Sequence, residues 1–272
     1  MEITPAPFFL EVDGRQLFVT RWQTGQTDAK PILLLPPFAE EMNRVRRFAS
    51  ELSKKLLTAG YTLWTVDLSC TGDSSGKFSA SKVNEWQGDL LAALNYVQAS
   101  ENLSCDLLAI RGGSLFLPNL LEQSTTEIRK VCLVEPISTG GQLLNEFLRI
   151  RVAKSIFEGT KETVSSLATL LEDGDSLEVA GYKLTSGLYH ELLELSLESN
   201  PFALATQGLV IGCMRTMNDA RLKKLEHMVS EWQCPAQSFK TKALPVEPFW
   251  ATETARTTEE LDNLIIEYYV ES

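Results

Sequence analysis

Leu107-Leu108-Ala109-Ile110-Arg111-Gly112-Gly113-Ser114 is the stretch on which the reading of the chain turns. Four apolar residues stop at a charged one and two glycines. An apolar helical pattern then begins with Leu115, Phe116, Leu117, Leu120 and Leu121. This order predicts a buried strand, a sharp turn and a helix. Around the tip of so tight a turn, the residues two before and two after must be small, because the flanking backbones nearly touch.

Two registers fit, and they imply different chemistry. With Arg111 at the tip, the flanking positions are Ala109 and Gly113, both small. With Ser114 at the tip they are Gly112 and Phe116, and phenylalanine is too large. The pattern therefore favours Arg111, whose guanidinium is always charged and is not a nucleophile.

Outward from this turn the chain alternates. Phe8 to Trp22 reads as two strands around the hairpin signal Asp13-Gly14. Pro31 to Leu35 is a continuous apolar run, as in a strand buried on both faces. A helix is predicted from Glu41 to Ala59, with Gly60 as its stop. Strands at Tyr61–Asp67 and Lys130–Glu135 and a helix at Ser81–Ala99 continue the rhythm. It is lost across residues 137–207, a mostly helical stretch with a polar turn at Glu172-Asp173-Gly174-Asp175. It resumes with a strand at Gly208–Cys213, a helix at Asp219–Trp232, a last strand within Ser238–Val246 and a helix at Thr257–Val270, which Thr257 or Thr258 can cap. Such alternation builds a mostly parallel sheet with helices on both faces. Together with the strand–turn–helix it predicts an α/β-hydrolase fold, in which the turn is the nucleophile elbow. The core is then residues 1–136 and 208–272, and 137–207 is a helical cap insertion.

Composition bounds the rest. The 272 residues, 44% hydrophobic and 22% charged, suit a large globular core that needs no staples. A net charge of −11 argues against nucleic-acid binding and against adhesion to anionic lipid. Five cysteines without a CxxC, three of them in or beside apolar runs, suggest reduced, mostly buried thiols and a cytoplasmic location. The N-terminus has no basic, apolar leader pattern, and no apolar run approaches a membrane span. Gly72-Asp73-Ser74-Ser75-Gly76 is not a phosphate loop, because no GK[ST] follows. Metal-like spacing of His, Cys, Asp and Glu is absent, so neither metal nor cofactor is expected. The tryptophans, including Trp86 and Trp250, are expected in the core or in a pocket wall. Oligomeric state cannot be read from the sequence.

A serine hydrolase on this fold needs serine, acid and histidine in that order. The acid slot follows the strand at 208–213 and contains Asp219, which can equally cap the helix starting there. The histidine slot, Pro245-Val246-Glu247-Pro248-Phe249-Trp250-Ala251, holds no histidine. The chain has two, His190 in the insertion and His227 in a late helix. An esterase or thioesterase would have to use Ser114, Asp219 and His190, with oxyanion N–H groups from Phe38 and Leu115. Other charges point to the same sheet edge, where open α/β sheets bind ligands. These are Glu40 and Glu41 after the first parallel strand, Glu135 after the fourth and Glu247 after the last. A buried Arg111 requires a carboxylate partner, and one or more of these four is expected to supply it. The cluster then holds a vacated site together, forms a polar pocket for a carboxylated or hydroxylated small molecule, or offers a glutamate as general base. A scaffold or assembly factor that binds no ligand is a further reading.

The chain resembles the α/β-hydrolase-like proteins called exosortase A system-associated hydrolase 2. The resemblance covers nearly the whole chain and is most specific at Pro36-Pro37-Phe38-Ala39-Glu40-Glu41-Met42-Asn43 with Arg46-Arg47. Further matches are Asp67-Leu68 with Gly72-Asp73-Ser74-Ser75-Gly76, Phe147-Leu148-Arg149 with Arg151, Ala180-Gly181-Tyr182, and Val246-Glu247-Pro248-Phe249-Trp250. That family's elbow is likewise small-x-Arg-x-Gly, which makes the missing serine a family trait. Ser114 departs from the pattern, which favours a small apolar residue there. The resemblance implies the hydrolase fold and an association with exopolysaccharide genes and the exosortase sorting system of Gram-negative bacteria. It implies no particular substrate, and fold alone does not supply one.

Overall fold

The computed structural model describes residues 3–23, 29–197, 205–214, 219–232, 239–252 and 258–271. Two antiparallel strands, β1 (Thr4–Val12) and β2 (Arg15–Gln23), meet at Asp13-Gly14, where both residues take positive φ. β3 (Lys30–Leu35), α1 (Glu40–Thr58), β4 (Tyr61–Val66), α2 (Val83–Glu101), β5 (Asp106–Ile110), α3 (Leu117–Gln123) and β6 (Ile128–Val134) follow in alternation. An insertion of α4 (Gly140–Phe157), α5 (Val164–Glu172), β7 (Ser176–Val179), β8 (Tyr182–Thr185) and α6 (Ser186–Leu193) comes next. β9 (Ala205–Cys213), α7 (Asp219–Glu231), β10 (Phe239–Leu244) and α8 (Glu259–Val270) complete the fold.

The eight-stranded sheet has the order β1-β2-β4-β3-β5-β6-β9-β10. β2 runs antiparallel to both its neighbours, and the pairs from β4 to β10 are parallel. The apolar strand runs explain themselves in two layers. Ile32 and Leu34 of β3 and Leu108 and Ile110 of β5 pack in one buried cluster with α1 and α8. Leu33, Leu35, Leu107 and Ala109 point the other way, into a cluster with α2 and α3. A strand whose alternate side chains both meet helices has no polar face, hence the unbroken apolar run.

The insertion shares this second cluster. Leu143, Phe147, Leu167, Leu177, Leu184 and Leu188 are buried in it alongside Leu35 and Ala109. Its middle is not wholly helical. After α5 and the Asp173-Gly174-Asp175 turn, β7 and β8 form a hairpin at Ala180-Gly181, both with positive φ. The period-two Ser-Leu-Glu-Val and Tyr-Lys-Leu-Thr flanking that turn carried the signal, outweighed by the helical segments around them. At α8, Thr258 occupies the N-cap position, but its side chain makes no capping bond; Thr257 lies outside the described residues.

The turn after β5 is packed to contact. A Cβ on Gly113 would lie 2.4 Å from the Leu35 carbonyl oxygen and 2.8 Å from that of Pro36. Both are backbone atoms of a buried strand end and cannot yield cheaply. At Gly112 the nearest atom is the Leu143 methyl Cδ1, at 3.0 Å, the end of a flexible side chain. Gly113→Ala is therefore expected to destabilise the protein by about 2–3 kcal/mol, and Gly112→Ala by less than about 1.5 kcal/mol. Urea unfolding of the two variants checks the difference.

Candidate functional site

The strand–turn–helix places Arg111 at the tip. β5 ends at Ile110 in extended conformation, and Arg111 takes φ 52°, the left-handed region. A non-glycine residue there costs about 1–2 kcal/mol, so the turn is held by its surroundings. Ala109 lies two residues before the tip, fully buried, and Gly113 two after, against the β3 end. Residues 111–116 form a tight 3₁₀ turn leading into α3.

The Arg111 side chain, only 7% exposed, is engaged on several sides. Its Nε and Nη2 donate to Glu41 Oε1 at 3.2 and 3.1 Å. Nη2 also donates to Glu146 of α4, which thereby ties the insertion to the elbow. The guanidinium lies 5.0 Å from the Trp250 ring centroid, a cation–π arrangement. Trp250 stands in the segment after the last strand where a triad histidine was sought. The elbow tip thus carries a cation with an aromatic face packed on it.

The electrostatics follow from burial. Desolvation raises the Glu41 carboxyl above its usual value, with Arg111 offsetting only part of that rise. Desolvation pulls the Arg111 guanidinium down, but Glu41 and Glu146 outweigh it and its pKa is raised. Glu41 Oε1 is occupied by the arginine; Oε2 is buried and has no hydrogen-bond partner among the described residues. The carboxylate lines a cleft of ≈ 440 Å³ between core and insertion. Phe38, Leu143, Phe147, Ile150 and Trp250 form its apolar walls, and Glu40, Glu41, Arg44, Arg111 and Glu146 its polar ones. The acids Glu40 and Glu41 open α1, at the favourable end of the helix dipole.

The other candidate residues are distributed as follows. Glu40 pairs with Arg44 at 2.5 Å, leaving Arg111 to its neighbour. Glu135, at φ 46°, faces β9 and α7: its Oε2 accepts from the Cys213 N–H at 2.7 Å, and Oε1 pairs with Arg221. It pins a strand end and makes no bond to Arg111. Glu247 is half-buried after β10 and outside the cleft lining. Phe38 packs its ring against Phe147 at 5.0 Å, joining the first parallel strand to the insertion.

Ser114 is fully buried and its hydroxyl is committed to backbone. Its Oγ lies 2.7 Å from the Arg111 carbonyl and 3.0 Å from that of Ile137, either of which can take its single proton, and it accepts from the Ile137 N–H at 3.1 Å. It therefore clasps the turn to the segment after β6. His190 lies exposed on α6 with its ring nitrogen 2.8 Å from the Ser186 carbonyl, and His227 is exposed beside Glu231. Neither histidine is among the partners of Ser114. Asp219 begins α7, and its side chain lies outside the described residues, as do residues 215–218 of the acid slot.

Two members of the site were missed from sequence. Glu146 is the lone acid in 140–157, on the same helical face as Leu143 and Ile150, which was a usable signal. Trp250 was expected as core or wall, without its stacking on the guanidinium.

No protein-family model and no curated protein sequence matches the chain. Solved structures do. Est1E from Butyrivibrio proteoclasticus, bound to ferulic acid, superposes with a TM-score of 0.68 at 13% identity, over 97% of this chain and 98% of its own. A soluble variant of monoglyceride lipase from Saccharomyces cerevisiae gives 0.65 at 15% identity, over 97% and 95%. Epoxide hydrolase A from Mycobacterium thermoresistibile gives 0.59 at 14%, over 97% and 98%. The fold is the α/β-hydrolase fold. Likeness at such identities shows the fold alone; the chemistry of this chain rests on its own residues.

Removing the cation leaves Glu41 and Glu146 facing each other. Arg111→Ala is expected to lower stability by about 2 kcal/mol, less than the roughly 3–5 kcal/mol of an enclosed pair. Water at Glu146, whose side chain is 36% exposed, absorbs part of the loss. The sign with pH is definite. Without the arginine the folded state holds protons more tightly than the unfolded one, so its stability falls as pH rises through the raised Glu41 pKa. The deficit relative to wild type is then smaller near about pH 5 than near about pH 8, as denaturant melts at the two pH values will read.

Proposed function

We propose that this chain is an α/β-hydrolase-fold protein with a degenerate catalytic triad that binds a small hydroxylated ligand, a saccharide or saccharide-bearing intermediate, beneath a cap formed by residues 137–207. By the resemblance noted above, its setting is the exopolysaccharide and exosortase systems; by its cysteine usage, its compartment is the cytoplasm. The observation that carries the reading is Arg111 at the elbow tip, bound by Glu41 and Glu146. A guanidinium cannot attack a carbonyl, and the hydroxyl of the same turn, Ser114, is spent on backbone.

The ligand class follows from what the cleft offers. Its two arginines already have carboxylate partners, so what the cleft offers a ligand is carboxylate acceptors, those of Glu40, Glu41 and Glu146, whose side chains are 24%, 21% and 36% exposed. A carboxylate acceptor selects a donor, such as a sugar hydroxyl, and hydrogen bonds to a charged group are the stronger ones. Phe38 and Phe147 supply the apolar wall on which the C–H face of a pyranose packs. The cleft volume lies within the range of small-molecule sites.

The test has two arms. A fluorophosphonate probe is expected to leave the folded protein unlabelled, wild type and Ser114→Ala alike; mass spectrometry locating a label on Ser114 would restore the esterase. In calorimetric titration against mono- and oligosaccharides, Glu41→Gln is expected to weaken binding by about tenfold or more, the worth of a charged hydrogen bond. Saccharide binding that is indifferent to this change would move the site elsewhere.

A further inference from the structure

The C-terminal end of α4 leaves the protein with its apolar side chains uncovered. Phe157 is 93% exposed and Ile156 70%, the two highest values among the exposed large hydrophobic residues of the described part. Single exposed leucines need no explanation, but a bare phenylalanine beside a bare isoleucine does. Helical spacing puts Leu143, Glu146, Ile150, Ala153 and Phe157 on one face of α4. The first four line the cleft, so Phe157 continues its wall out into solvent.

The same tip reverses the charge of the chain. Residues 147–162 carry Arg149, Arg151, Lys154 and Lys161 against Glu158 and Glu162, in a protein of net charge −11. Arg151 is held by Glu162 at 2.5 Å, and Lys154 approaches Glu158 at 3.6 Å with both side chains largely exposed, a weak pair. Arg149 and Lys161 are exposed on either side.

We propose that this end of α4 seats the protein on an anionic lipid surface, with Phe157 and Ile156 entering the interface and Arg149, Lys154 and Lys161 facing the headgroups. Bare aromatic and aliphatic side chains gain only from an apolar phase, and cations beside them select an anionic one. The remaining acidity does not forbid this, since fields are screened beyond about 8 Å at physiological salt and only the local charges reach the headgroups. That acidity keeps the attachment weak and reversible. The seat brings Ile150 and Ala153, at the cleft mouth, to the lipid surface, where an amphiphilic ligand would arrive.

The experiment is co-sedimentation of the full chain with phosphatidylcholine vesicles, with and without phosphatidylglycerol. Pelleting with the anionic vesicles is expected, decreasing with added salt. The double variants Phe157→Ser with Ile156→Ser, and Lys154→Glu with Lys161→Glu, are each expected to lower the partition coefficient by about tenfold or more. All four side chains are exposed, and an unchanged melting temperature verifies that the variants are folded. The proposal is overturned by no pelleting at low salt, by equal pelleting on neutral vesicles, or by variants that bind like wild type. A dimer in size-exclusion chromatography that Phe157→Ser dissolves, without vesicle binding, would assign the patch to a contact between copies and overturn it too. Saccharide titration needs no vesicles, so this outcome and that of the cleft are read separately.

Discussion

A guanidinium that is buried at a strained turn must be neutralised where it stands, and much of the site is arranged to do so. Arg111 is fixed by the chain at the end of β5, between a strand buried on both faces and a turn pressed against the β3 backbone. It cannot turn away to water. Glu41 comes to it from α1, Glu146 from α4 and the Trp250 ring from the segment after β10. Three remote parts of the chain are thereby drawn to one point, and the insertion is tied to the core through a charge as well as through its apolar cluster.

This arrangement changes what the fold can do. Where a hydrolase of this architecture needs a hydroxyl, a base to activate it and an acid to orient the base, this chain presents a cation, an aromatic face and two carboxylates. Among the described residues they leave one buried acceptor at the site, Glu41 Oε2, without a hydrogen-bond partner.

Ser114 and Glu135 illustrate how side chains near such a site are recruited for support. A serine three residues past the tip has the right chemistry for a nucleophile, yet its hydroxyl is engaged with backbone, donating to a carbonyl of Arg111 or Ile137 and accepting from the Ile137 N–H. Glu135 ends its strand at the expected sheet edge, yet its carboxylate pins the Cys213 amide and Arg221. Both satisfy buried polar groups that the tight connections around the turn would otherwise strand.

The fold was legible in the sequence because it rests on local, periodic signals. Unbroken apolar runs, helical spacing, and small residues on both sides of Arg111 together determine a parallel sheet and the register of its turn. The need of Arg111 for a carboxylate was also legible, since a buried charge cannot stand alone. Which carboxylate answers, and that Glu146 joins it, was decided only by tertiary structure. Glu40, Glu41, Glu135 and Glu247 all lie just past strand ends, and sequence distance does not distinguish the direction in which each side chain leaves its backbone. That direction comes from the positive φ at Ala39, Arg111 and Glu135 and from the packing of α4 over the sheet, contacts between residues far apart in the chain.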